Sequence, residues 1–132
     1  FFVDQGRRKL LAANAGHPAL LVQRARDGAI EELRPVGRIL GPLPTGQYEL
    51  VERALEDGDR LIAFTDGLLD ARNHNDELFG MERLRFLLLE HTHLSAAELA
   101  DLLMNEIAVW CGQMEDPGDD IALIVMTLHS SF

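Results

Sequence analysis

The chain has 132 residues, 47% of them apolar and 26% charged, with a formal net charge of −10 from 22 acidic against 12 basic side chains. This predicts a single domain over 1–132 with a modest core, and the acidity argues against nucleic acid or an anionic membrane as partner, since both need a basic face. A lone cysteine, Cys111, leaves no internal disulfide and fits a reducing, cytoplasmic interior, and no run approaches the roughly 20 apolar residues of a membrane span, so no membrane insertion is expected.

Phe1 to Asp4 is strand-like, with no initiator methionine before it, so the sequence reads as a piece of something longer. Gln5-Gly6-Arg7-Arg8 reads as a hairpin turn with Gly6 supplying positive φ, and Lys9 to Ala15 as the return strand. Gly16-His17-Pro18 interrupts, Ala19 to Gln23 resumes, and Arg26-Asp27-Gly28 turns the chain into Ala29 to Leu33. The expectation for this first third is an antiparallel meander. Pro35 to Gly46 is a crossing loop whose Val36, Ile39, Leu40 and Leu43 are expected against the body. Tyr48 to Leu55 alternates like a strand, Glu56-Asp57-Gly58-Asp59 turns, and Leu61 to Phe64 is a short strand covered on both faces.

After Asn73 the apolar period changes from two to that of a helix. Met81, Leu84, Leu87 and Leu88 mark a helix to Glu90, and Ser95 with Glu98 forms a capping box opening a helix over Ala96 to Trp110. Its stripe of Leu99, Leu102, Leu103, Ile107 and Trp110 reads as core. Gly112 to Asp120 is an acidic loop, and Ile121 to Leu128, the most apolar run, is expected as an interior strand.

The chemistry concentrates at two acidic turns. Asp66-Gly67 stands where the Leu61–Phe64 strand stops, and Asp119-Asp120 stands where the last strand starts. If those strands are antiparallel neighbours, the carboxylates converge on one sheet edge, which is tolerable when a cation sits among them. Oxygen donors of this kind favour Mg²⁺ or Mn²⁺ over zinc. The plainer readings are that Asp66 caps the helix starting near Leu68 and that Asp119 and Asp120 form a solvated turn. His17 either approaches the acidic edge or fills a strand bend. His74, His91, His93 and His129 are scattered, and no HExxH, GxSxG, GxxxxGK or GxGxxG run is present.

Six short motifs occur in a telling order: Asn14-Ala15-Gly16-His17-Pro18, Gly58-Asp59, Thr65-Asp66-Gly67, Ala71-Arg72-Asn73, Phe79-Gly80 and Gly118-Asp119-Asp120-Ile121. Together they resemble the metal-dependent (PPM, type 2C-like) Ser/Thr protein phosphatases, and most closely the bacterial SpoIIE-type branch, in its C-terminal portion. The resemblance implies an α+β fold, the PPM α-β-β-α sandwich of mostly antiparallel sheets with flanking helices, its N-terminal part missing. It implies removal of phosphate from a phosphorylated protein, in this branch an anti-sigma factor antagonist, by a binuclear Mn²⁺ or Mg²⁺ centre whose bridging water attacks phosphorus in line. Asp66 and Asp119 match metal ligands, with Gly67 and Asp120 as neighbours. Asp70 stands where the branch commonly has Glu. The family's earlier ligand motifs would lie before Phe1, so the piece as written holds half a metal centre and is expected to be inactive alone, and a strand edge left bare would favour a homodimer. A non-catalytic, partner-binding member of the same fold and an unrelated acidic α+β binding domain are the competing readings.

Overall fold

The computed structural model describes residues 1–37, 40, 47–112 and 120–129. A first hairpin joins β1 (Phe2–Asp4) to β2 (Lys9–Ala12), and β5 (Val51–Ala54) adds to β2, making a three-stranded antiparallel sheet in the order β1-β2-β5. A second hairpin, β3 (Leu20–Gln23) to β4 (Ile30–Leu33), belongs to a different sheet. There β3 also pairs with β6 (Arg60–Phe64), and β6 with β7 (Leu123–Thr127), in the order β4-β3-β6-β7. The expected meander is therefore two hairpins in two sheets. The break falls at Asn14 to Pro18, where the Asn14 side chain bonds both the N–H and the carbonyl of His17, Gly16 takes φ 90°, and Pro18 has no N–H to give a ladder. The return strand stops at Ala12 for the same reason.

Alternation along each central strand builds two cores from one sheet. Leu20, Val22 and Leu61 point into a cluster with Leu10, Ala12, Leu33 and Leu55 between the two sheets. Ala19, Leu21, Ile62 and Phe64 point the other way, onto three helices: α1 (Asp66–Asp70), α2 (Gly80–Glu90) and α3 (Ala96–Trp110). Strand β6 is thus covered on both faces, and Ile62 is fully buried, worth roughly 1.5–3 kcal/mol for such a side chain. The Ser95–Glu98 capping box is present, and Leu99, Leu103 and Ile107 are the buried stripe of α3. Among the described residues the layering is sheet, sheet, helices, which is three of the four layers of the expected sandwich.

Four expectations are corrected. In the first turn the positive φ falls on Arg8, at 50°, and Gly6 is not among the residues with positive φ. Val36 and Leu40 are exposed rather than packed, while Ile39 and Leu43 lie outside the described residues. In β5 the inward residue is Val51, packed on the inter-sheet core, while Tyr48 and Leu50 are exposed. The last strand, expected in the interior, is an edge among the described residues: its side chains alternate between half-buried and exposed, with Ile124 and Met126 in solvent.

Candidate metal centre

Strands β6 and β7 are antiparallel partners, Phe64 facing Leu123, so the end of one lies beside the start of the other. Thr65 fastens that junction. Its N–H donates to the Ala122 carbonyl (3.0 Å), its hydroxyl donates to the Asp120 carbonyl (3.1 Å), and the same oxygen accepts from the Ala122 N–H (3.0 Å). The segment leading into β7 is thereby held within one strand spacing, ~4.8 Å, of the segment leaving β6. On the other flank β3 runs antiparallel to β6, and continuing its register by two positions beyond Leu21–Ile62 sets Ala19 opposite Phe64. The Asn14–His17 turn is closed by the Asn14 amide donating to the His17 carbonyl (2.8 Å) and the His17 N–H donating to Asn14 Oδ1 (2.7 Å). It shares a cavity of about 350 Å³ with Phe64 and Ala63. Three segments from distant parts of the chain therefore meet at one end of the second sheet.

Asp66 is the first residue of α1 and is exposed, and Gly67 behind it is buried. Thr65 occupies the N-cap position without a side-chain cap bond, because its hydroxyl is already engaged with Asp120 and Ala122. Asp66 is therefore not the helix cap. Asp70, one turn on, lies on the same side of the helix as Asp66 and is also exposed. Asp120 is exposed at the foot of β7, and Asp119 lies outside the described residues. His17 is exposed at the flanking turn. Asp66, Asp70 and His17 take part in no ion pair among the described residues, and within that set no group of three or more His, Cys, Asp or Glu side chains is arranged to hold a metal ion. The donors present are carboxylate oxygens just beyond the end of β6, the kind of donor a hard cation takes.

The sequence left two structural residues without a role. Thr65 is the clasp just described, and its only signal was a hydroxyl immediately before an Asp-Gly pair. Asp59 is 1% exposed at the opposite end of β6. It accepts from the Ala25 N–H (3.0 Å), the Glu56 N–H (2.9 Å) and the Arg24 guanidinium (2.8 Å). Arg24 also meets Glu31 (3.2 Å), which in turn takes Arg53 from the other sheet. Burial lowers the Arg24 pKa, but the bonds to Asp59 and Glu31 outweigh it and leave the guanidinium raised above its ordinary value. Glu31 is held below the ordinary Glu value, first by the Arg53 hydrogen bond.

Comparison with known proteins identifies the family. The model of the stage II sporulation protein E (SpoIIE) family matches residues 1–129. Phosphoserine phosphatase RsbU of Bacillus subtilis is 28% identical over 125 residues, which is 93% of this chain and 36% of RsbU. The SiaA-PP2C domain of Pseudomonas aeruginosa superposes with a TM-score of 0.77 at 28% identity, covering 92% of this chain and 47% of that one. The phosphatase domain of the cell fate determinant SpoIIE from Bacillus subtilis, presoaked with Mn, gives a TM-score of 0.68 at 19% identity, covering 99% of this chain and 56% of that one. The chain thus spans little more than half, or less, of each relative's length.

Proposed function

Because the chain belongs to the SpoIIE family, we propose that it is part of a metal-dependent phosphoserine/phosphothreonine protein phosphatase domain in bacterial signalling. The single observation that carries this reading is the Thr65 clasp, which brings the Asp66 strand end and the approach to β7 to one rim. Asp66 and Asp119 are the residues we assign to hold a divalent cation there, with Gly67, Asp70 and Asp120 as neighbours and His17 at the flank. The oxygen donors suit Mn²⁺ or Mg²⁺, a binuclear pair in the complete domain. When bound, such cations supply Lewis acidity that acidifies water and offsets charge developing on the phosphoryl oxygens. The chain's own part is positional. Strand β6, buried on both faces, fixes Asp66, and Thr65 fixes the Asp120–Ala122 approach to β7 beside it.

RsbU is named a phosphoserine phosphatase, which supports a phosphorylated protein as substrate, in this branch an anti-sigma factor antagonist, in the cytoplasm. With two assigned ligands out of a binuclear set, the 132-residue piece alone is expected to be inactive; Mn²⁺-dependent turnover by it would refute the half-site assignment. In the complete protein, Asp66→Asn and Asp119→Asn should each collapse Mn²⁺-dependent dephosphorylation of a phosphoserine protein. An unchanged rate in both would return these residues to turns and favour a partner-binding role for the domain. The exposed edge strand β7, with Ile124 and Met126 bare, is the surface through which two copies of the piece would pair.

A further inference from the structure

At the end of β6 away from Asp66, Arg60 is 6% exposed. Its guanidinium donates to Gln23 Oε1 (3.1 Å), the Thr92 carbonyl (3.3 Å) and the Leu94 carbonyl, all neutral acceptors, and its Nε is buried without a partner. It takes part in no ion pair among the described residues. Burial alone pushes its pKa below the ordinary arginine value. An arginine does not lose its proton in a protein, so a full positive charge stays in the interior with nothing of opposite sign against it. Arg60 lines a cavity of about 430 Å³, together with Arg24, Arg26, Asp27, Leu89 and Thr92.

We propose that this cavity is a binding site for a small phosphate-bearing solute, with Arg60 as its buried anchor and Arg26 as a movable outer clamp. A guanidinium with no carboxylate against it suits phosphate oxygens better than the neutral acceptors that now surround Arg60. Arg24 is committed to Asp59. Arg26 is not: its side chain is 66% exposed, and its contacts with Asp27 (3.3 Å) and Glu56 (3.9 Å) are surface pairs of little worth, so it is free to swing inward. The one carboxylate in the lining, Asp27, is turned to its own loop, where it accepts from the Ala29 N–H (3.0 Å). The volume falls in the range of small-molecule pockets, roughly 300–1,000 Å³, and leaves room beside Leu89 and Thr92 for the body of an ester. The site is independent of the phosphatase reading, since it lies at the opposite end of β6 from Asp66.

The test is an NMR titration of the 132-residue chain, at fixed ionic strength with EDTA present, using inorganic phosphate and phenyl phosphate as separate probes. Saturable shifts should cluster at residues 24–28, 60 and 89–92. Tighter binding of inorganic phosphate identifies the free anion as the ligand, and tighter binding of phenyl phosphate identifies an ester. Arg60→Gln should weaken binding about tenfold or more, equivalent to ~1.4 kcal/mol. Leu89→Glu, at an exposed position that leaves folding intact, should weaken it by roughly threefold or more through like-charge repulsion. No saturable shift with either probe overturns the site, as does unchanged affinity in Leu89→Glu; that variant decides the matter even if Arg60→Gln fails to fold.

Discussion

The two ends of strand β6 use the same side chain in opposite ways. At the Asp59 end, the carboxylate is sealed in and fully employed by two backbone N–H groups and a guanidinium. At the Asp66 end, a carboxylate only a few residues away along the strand stands in solvent with no ion pair among the described residues. Burial accounts for the difference. A carboxylate inside the protein costs several kcal/mol unless cations and donors are built around it, whereas one at a strand's open end keeps its water and remains available to a ligand. The closed end is where the fold is held together, and the open end is where chemistry is to be sought.

The sharpest way to break this contrast is to remove each carboxylate in turn. Asp59→Ala leaves Arg24 and two amides without their acceptor and should cost about 3–5 kcal/mol, read as a large drop in the urea midpoint. A change under ~1 kcal/mol would mean that the closed end is not organised by Asp59. Asp66→Asn should do the reverse: stability within ~0.5 kcal/mol of the parent, and in the complete protein a loss of about a hundredfold or more in Mn²⁺-dependent turnover. A variant that lost both together would show that Asp66 serves the fold.

How much of this was readable in advance follows from the range of each interaction. Helix α3 was legible to its capping box, because Ser95 and Glu98 bond each other within one turn and the Leu99, Leu103, Ile107 stripe needs no distant partner. The Leu61–Phe64 strand was legible because a run buried on both faces carries no polar alternation. Sheet membership was not. The interruption at Gly16-His17-Pro18 is local, but nothing within residues 9–23 says that β2 and β3 join different sheets, since their partners β5 and β6 lie about 40 residues downstream. The edge position of β7 was hidden for a related reason: its apolar content reads as interior, and only its pairing with β6 alone, some 60 residues upstream, makes it an edge. Of the candidate site, Asp66 at a strand end could be read, whereas the Thr65 clasp depends on a residue pair more than 50 positions apart.

A smaller perturbation separates the two ends without touching a charge. Gly37 sits against the Asn14–His17 turn so closely that an added Cβ would lie 1.7 Å from the Asn14 carbonyl oxygen, a backbone atom that moves only with its loop. Gly37→Ala should therefore cost about 1–3 kcal/mol as an overpacking change. Its amide shift changes should concentrate at residues 12–19 and 63–66, leaving 24–31 and 56–60 in place. Shifts spread evenly over both ends would mean that the ends are mechanically coupled through β6.

The mildest test is acid, and it acts on the neighbouring strand. Successive residues of β4 face opposite layers. Glu31 reaches Arg53 of the first sheet and Arg24, while Glu32 takes Arg85 of α2 (2.6 Å) and Arg34 (2.8 Å). Both carboxyls are held below their ordinary value of 4.5, Glu31 first by the Arg53 hydrogen bond and Glu32 first by that of Arg85. Their folded pKa values lie below the unfolded ones, so the stabilisation is fully present above about pH 4.5 and disappears as the pH falls through the folded values. Both side chains remain partly in water, so each tie is worth no more than ~1 kcal/mol. Glu31→Gln with Glu32→Gln should lower the urea midpoint modestly at pH 7 and flatten its decline between roughly pH 5 and 3, where the parent gives up these two interactions. An equally steep decline in the double variant would place the acid-labile contacts elsewhere and leave β4 tied to its two layers by packing alone.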